Sequence, residues 1–358
     1  MSTEALLEKA CSGGRLSRED ALGINARADL FQLAQAAQRV RTAKHPDQLV
    51  TYVVDRNINY SNICVCGCTF CAFYRAPGQA GGFVISREEL WSKIRQTLDL
   101  GGTQILLQGS HHPDLALEYF EELLTDIKRD FPRLHIHAFS PPEIVHLASC
   151  SGLSIETVLS RLIDAGLDSI PGGGAEILVD RVRKRIAPNK CLTGDWLEVM
   201  RRAHSLGLKT TATMMFGHVE TAEERIEHLL RLRELQDETG GFTAFIPWSF
   251  QPDNTALKAR PATSVEYLKL LALSRLVLDN LPNIQVSWVT MGDKIAQLGL
   301  FFGANDFGST MIEENVVAAS GVRFRMSRQE IETAISAAGF TPRQRSMDYR
   351  ILSRSRSV

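Results

Sequence analysis

The stretch Asn62-Ile63-Cys64-Val65-Cys66-Gly67-Cys68-Thr69-Phe70-Cys71-Ala72-Phe73-Tyr74 follows directly on a β-branched, strand-like run, Thr51 to Tyr60. It holds the spacing Cys-x3-Cys-x2-Cys on what reads as a loop. Three thiolates this close can ligate three irons of a [4Fe-4S] cube and leave the fourth iron open to a ligand. In a parallel α/β barrel, residues just past a strand lie on the C-terminal face, where that fold builds its sites. Working outward, further short β-branched runs alternate with amphipathic stretches: Thr103 to Leu107, His135 to Phe139, Asp168 to Ile170, Thr210 to Met214, Phe242 to Ile246, Ile284 to Val289, and a weak run before Asn305-Asp306. Helical segments fall between them, among them Glu88 to Asp99, Ala116 to Asp130 and Ala222 to Glu238. Repeated βα units imply a parallel sheet. About eight of them make a (β/α)8 TIM-type barrel the economical reading, with a doubly wound open sheet as the alternative. The expected division is a helical cap over 1–48, a barrel over 49–326 and a C-terminal helical tail over 327–358.

Composition agrees with a globular enzyme-sized chain. Of 358 residues, 44% are hydrophobic and 23% charged, which supplies a core and excludes a disordered or fibrous chain. Forty basic against forty-one acidic residues leave no net field to favour nucleic acid or anionic lipid, so a small-molecule partner is expected. No run approaches a membrane span and the start lacks the apolar core of a secretory signal, so no membrane span and a cytoplasmic location are expected. Seven cysteines, four of them between Cys64 and Cys71, suit a metal site in a reducing compartment better than a disulfide framework. Structural zinc is the competing reading and would make the chain a non-enzymatic binding module. Zinc sites usually draw ligand pairs from separated segments, and Cys66 lies only two residues from both Cys64 and Cys68. Cys66 is therefore read as a bystander.

With an aromatic before its last cysteine, Cys64-x3-Cys68-x-Phe70-Cys71 resembles the radical S-adenosylmethionine superfamily. The segments 104–109, 137–141, 171–178, 213–221 and 305–315 are similar to the menaquinone-forming branch that works on futalosine derivatives. Gly172-Gly173-Gly174-Ala175-Glu176 and Pro247-Trp248-Ser249-Phe250-Gln251-Pro252 favour its cyclising members; the aminodeoxyfutalosine and deazaflavin-forming synthases are the alternatives. Ser110 departs from the pattern, where a second glycine is expected after Gly109.

The resemblance implies a [4Fe-4S] cluster on Cys64, Cys68 and Cys71, S-adenosylmethionine on its open iron, and an electron donor such as flavodoxin or ferredoxin. It implies a deoxyadenosyl radical that abstracts hydrogen from C4' of dehypoxanthine futalosine, ring closure onto the benzoate-derived ring, and loss of a proton and an electron. Gln108, Gly109 and Ser110 are the expected cradle for the cofactor's amino group, since glycine admits close backbone approach. Phe73 and Tyr74 are expected beside adenine, and Ser140 at the ribose or methionine end, unless it merely caps a helix. Glu176 and Arg185 are expected at the ribose hydroxyls and the carboxylate. Arg75 and Lys190 are candidates to hold the substrate carboxylate, because an unpaired charge is costly to bury. Glu220 is placed near the substrate, and His218, then Asp306, is ranked as the proton acceptor.

Overall fold

The computed structural model describes residues 1–352. Three helices open the chain: α1 (Thr3–Cys11), α2 (Arg18–Arg27) and α3 (Leu30–Lys44). Side chains of Ser2, Ser17 and Asp29 cap their N-termini, with capping boxes on α2 and α3. Buried Leu33, Ala36 and Ala37 of α3 give this cap an apolar face. Two guanidiniums bolt the region beneath it: Arg41 donates to the carbonyls of Ala304 and Leu49, and Arg275 to that of Gly303.

The barrel follows as β1 (Leu49–Val53), β2 (Asn57–Asn59), α4 (Arg87–Asp99), β3 (Gln104–Gln108), α5 (Leu117–Asp130), β4 (His135–Ala138), α6 (Pro141–Ser151), α7 (Ile155–Ala165) and β5 (Ser169–Ile170). It continues through α8 (Asp180–Ile186), α9 (Thr193–Ser205), β6 (Lys209–Phe216), α10 (Ala222–Thr239), β7 (Phe242–Ser249), α11 (Ser264–Val277) and β8 (Asn283–Ile284). Then come α12 (Trp288–Met291), α13 (Asp293–Gly299), β9 (Asp306–Ser309), α14 (Arg328–Ala337) and β10 (Thr341–Gln344).

Strands β2 to β8 form a seven-stranded parallel sheet in sequence order. Hydrogen bonds carry the ring past its edges. Asn305 N–H donates to Ile284 O and Val286 N–H to Asp306 O, which joins β9 to β8. Strand β9 pairs with β1, and the bonds Ile312 to Asp55 and Asn57 to Glu313 continue that pairing toward β2. On its other side Arg56 O accepts from Leu106 of β3. Counting β1 and β2 as one bent strand, eight parallel strands close on themselves.

Three elements differ from the sequence reading. The run from Thr51 to Tyr60 divides into β1 and β2 because its first half pairs with β9 and β10 and its second with β3. The run Ile284 to Val289 is strand only at its start; Ser287, its N–H on Tyr267 Oη, turns the chain into α12. Strand β9 begins after Asn305, whose side chain is committed to Arg275, Ile284 and Asn283. The tail is not wholly helical either, since β10 lies parallel on β1.

Candidate active site

The cysteine loop is held from all sides. Cys64 N–H donates to Arg75 O, Val65 N–H to His111 O and Thr69 N–H to Ile186 O, while Thr69 O accepts from Leu257. Cys64, Cys66, Cys68 and Cys71 all line one cavity of about 220 Å³ at the barrel mouth. Among the described residues no three His, Cys, Asp or Glu side chains converge as a cage for a single ion. Three of these thiols, Cys64, Cys68 and Cys71, keep the Cys-x3-Cys-x2-Cys spacing on that cavity. The Cys66 thiol lies 2.9 Å from Nδ1 of buried His111. Bonds from Cys66 pull the Cys64 and Cys68 thiols below the usual range, while Cys66 itself is pushed up. Lys190 adds positive charge there: burial opposes its ammonium, but Glu176 and the Cys68 and Cys66 sulfurs outweigh this and raise its pKa.

The same cavity is lined by polar backbone and hydroxyl groups. Gln108, Gly109 and Ser110 leave the end of β3, and Ser140 leaves β4, all on this cavity with Phe73 and Tyr74. An added Cβ on Gly109 would meet the Tyr60 ring at 2.5 Å, so only glycine fits that approach. Ser140 does not cap α6 with its side chain; its hydroxyl donates to Glu143. Glu143 also accepts from Gly109 N–H at 3.1 Å and from the Tyr60 hydroxyl at 2.7 Å. Burial raises its carboxyl above the usual range. The Ser110 Oγ is buried with no hydrogen-bond partner among the described residues, an orphaned polar atom beside this cavity that a polar ligand would satisfy. Phe139 and Glu176, past the ends of β4 and β5, hold left-handed backbone conformations, φ 62° and 40°, a local cost that functional sites tolerate.

A second cavity, about 280 Å³, fills the barrel interior. Gln108, Gly173, Gly174, Glu176 and Trp248 line both, so the two share a wall. Its lining is mostly apolar, with Leu106, Ile246, Trp248, Val286, Trp288 and Val289, interrupted by Asp55, His137, Glu314 and Arg345. Gly172 makes room for this interior. Its added Cβ would meet the Thr211 carbonyl oxygen at 2.6 Å, a close approach of loop to β6 secured by Gly172 N–H on Thr211 Oγ1 and Thr213 Oγ1 on Gly172 O.

Several expected residues stand elsewhere. Arg75 spends its guanidinium on the carbonyls of Ala72, Phe73 and Tyr74, stiffening the cysteine loop, and lines neither cavity. Arg185 is exposed and outside both; its neighbour Arg183 is the buried one, bonded to the carbonyls of Gly174, Ala175 and Cys191. Lys190 sits on the cysteine cavity, 3.1 Å from Glu176, and not on the inner one. His218 is fully buried, with Nε2 donating to Met215 O and Nδ1 accepting from Val219 N–H; burial lowers its pKa. Glu220 accepts from the N–H groups of Gly217 and His218 and pairs with Arg225. Asp306 is locked in a two-pronged pair with Arg345 and bonded by Thr51. None of these three lines either cavity.

Sequence reasoning missed Glu143, Glu314 and Arg345. Glu143 stands three residues after Ser140, the spacing of a capping box, which hid its role. Arg345 belongs to a tail read as peripheral.

Comparison with known proteins agrees with this geometry. Residues 58–232 match the Radical SAM superfamily and residues 239–358 the CofH/MqnC C-terminal region. The chain is 47% identical to the cyclic dehypoxanthine futalosine synthase of Halalkalibacterium halodurans, over 98% of this chain and 95% of that one. It is 46% identical to the Streptomyces coelicolor protein of the same name, over 97% and 88%. A 5-amino-6-(D-ribitylamino)uracil--L-tyrosine 4-hydroxyphenyl transferase from Methanosarcina barkeri is 43% identical, over 97% and 93%. In fold, the chain resembles the FeFe-hydrogenase maturase HydG of Carboxydothermus hydrogenoformans, with a TM-score of 0.77 at 19% identity, over 97% of this chain and 80% of that one.

Proposed function

This chain belongs to the radical S-adenosylmethionine superfamily, and from that premise we propose that it closes dehypoxanthine futalosine into its cyclic form, for menaquinone synthesis by the futalosine route. The observation that carries the reading is the wall shared by the cysteine cavity and the barrel cavity, which sets a radical source against a mostly apolar substrate space. Nearly full-length identity of 46–47% to two synthases of that name supports the choice of substrate. The cofactors are a [4Fe-4S] cluster and S-adenosylmethionine. Bound there, they supply a carbon-centred radical able to take hydrogen from an unactivated C–H bond.

The chain's own residues do the rest. Cys64, Cys68 and Cys71 hold the cluster, leaving Cys66 as the thiol beside it. Gln108, Gly109 and Ser110, with Ser140 fixed by Glu143, hold the polar end of S-adenosylmethionine; Phe73 and Tyr74 flank it, and Glu176, oriented by Lys190, stands at the shared wall. The inner cavity's apolar walls exclude water and stray hydrogen donors. Its guanidinium, Arg345, is fixed in the cavity wall by its two-pronged pair with Asp306. A flavodoxin or ferredoxin supplies electrons, the cytoplasm is the compartment, and residues 1–48, 49–326 and 327–358 act as cap, barrel and tail, the last six of these lying outside the described residues. No helix among the described residues is long and apolar enough to cross a membrane.

Anaerobic reconstitution tests the proposal. Four irons per chain are expected, retained in Cys66→Ser and lost in each of Cys64→Ser, Cys68→Ser and Cys71→Ser. With S-adenosylmethionine and a reductant, the holoenzyme should convert dehypoxanthine futalosine to a cyclised product with matching 5'-deoxyadenosine. Turnover instead of the enolpyruvyl benzoate used by aminodeoxyfutalosine synthase would overturn the substrate assignment.

A further inference from the structure

Glu314, five residues past the end of β9, lines the inner cavity and also a second space of about 300 Å³. Trp288, Val289 and Met311 share that position, and Arg323, Phe324 and Arg325 bound the outer space. Its carboxylate is aimed by two donors, Val317 N–H on Oε1 at 2.8 Å and Asn57 Nδ2 on Oε2 at 2.7 Å. A further backbone bond reaches it from the Val316 N–H. Among the described residues no cation pairs with it, whereas its neighbour Glu313 pairs with Arg56 and Lys93.

We infer that Glu314 is the catalytic base that removes the ring proton after cyclisation and passes it to the outer space. This rests on the cyclase reading above. Addition of the C4' radical to the aromatic ring makes one carbon–carbon bond and leaves a ring carbon that bears both that bond and its original hydrogen, with one unpaired electron in the ring. Breaking that C–H bond restores aromaticity: the proton goes to a Glu314 oxygen, and the electron to a one-electron acceptor of the iron–sulfur class. Glu314 suits the task because it stands on the wall common to the inner cavity and the space beside it, with no cation among the described residues holding it. The other carboxylates of the inner cavity do not. Asp55 accepts from Ser309 and Gln104 and has no place on the wall of the outer space. Glu176 is paired with Lys190 on the cofactor side. Burial raises the Glu314 carboxyl above the usual range, toward the pH at which a base is most effective.

The test uses reconstituted holoenzyme carrying Glu314→Gln or Glu314→Asp, checked for iron content, thermal melting and dehypoxanthine futalosine affinity. Glu314→Gln should bind substrate as the parent does and still form 5'-deoxyadenosine when substrate is present. Cyclised product per deoxyadenosine should fall about 10²-fold, the scale of a lost general base. A radical signal should build up, or a non-aromatic product heavier by two hydrogens should appear, and Glu314→Asp should recover part of the coupling. An unchanged ratio in Glu314→Gln would overturn the inference, as would loss of deoxyadenosine along with product, which would place Glu314 before ring closure. If the parent enzyme itself makes no cyclised product, the cyclase reading fails instead.

Discussion

At the residue scale, hydrogen-bond occupancy separates groups that do chemistry from groups that hold the frame. His218 and Asp306 sit after barrel strands, where ligand sites are built, yet every polar atom of theirs is spoken for. The His218 ring bridges Met215 O and Val219 N–H, and Asp306 takes two bonds from Arg345, with others from Thr51 and Gly308. Breaking a buried ion pair by removing one charge costs about 3–5 kcal/mol, because the partner is left uncompensated. Asp306→Asn should therefore lower the unfolding free energy by about 3 kcal/mol in denaturant titration. His218→Gln, which gives up a buried ring and two bonds, should cost about 1–2 kcal/mol. In both variants that stay folded, the ratio of cyclised product to 5'-deoxyadenosine should equal the parent's. A fall in that ratio for either one would return it to the catalytic step.

At the element scale, the junction of α9, β6 and α10 turns on one imidazole. His204 Nε2 lies 2.7 Å from Thr210 Oγ1 on β6 and Nδ1 2.7 Å from Thr239 Oγ1 on α10, with Phe242 edge-on to the ring. Gly241 permits this, since a Cβ there would meet the ring at 2.1 Å. Burial pushes His204 down to about 4, below the 6.5 of an exposed histidine. The unfolded chain thus binds more protons between those values, so the neutral ring's contribution is full above pH 6.5 and is lost as pH falls toward 4. The loss reaches about 1 kcal/mol by pH 5.5. In His204→Gln that slope should vanish, so its stability deficit against the parent should narrow from pH 7.5 to pH 5.5; a constant deficit would contradict the assignment. The helices were legible in the sequence because α4, α5, α7 and α10 carry caps or apolar periodicity that survive without tertiary context. The short strand β5 was read to within one residue, whereas β8 was read too long, because where it ends is set by the turn into α12. The cluster loop was legible because its ligands are adjacent in the chain. The inner cavity was not: Asp55, His137, Glu314 and Arg345 meet only when the barrel closes.

At the scale of the whole molecule, the C-terminal tail is part of the barrel's wall and of its lining. Strand β10 covers the edge of β1, and the segment after it carries Arg345 and Met347 to the inner cavity. Arg345 is buried against Asp306, and Ile331, Ile335, Phe340 and Met347 are buried as well. A chain ended after Met326 would lose those four apolar side chains, each worth about 1.5–3 kcal/mol when buried. It would also strand Asp306 without its guanidinium, at about 3–5 kcal/mol. Together these losses are on the order of 10 kcal/mol, comparable with the entire stability of an ordinary domain. The truncated chain should therefore fail to give a cooperative thermal transition or near-ultraviolet circular dichroism. Adding Asp306→Asn to it should recover only the smaller, electrostatic share, so the double variant should remain unfolded at 25 °C. A truncated chain that melts cooperatively and binds four irons would show instead that the tail is an independent appendage, and that Arg345 reaches the cavity without holding the barrel together.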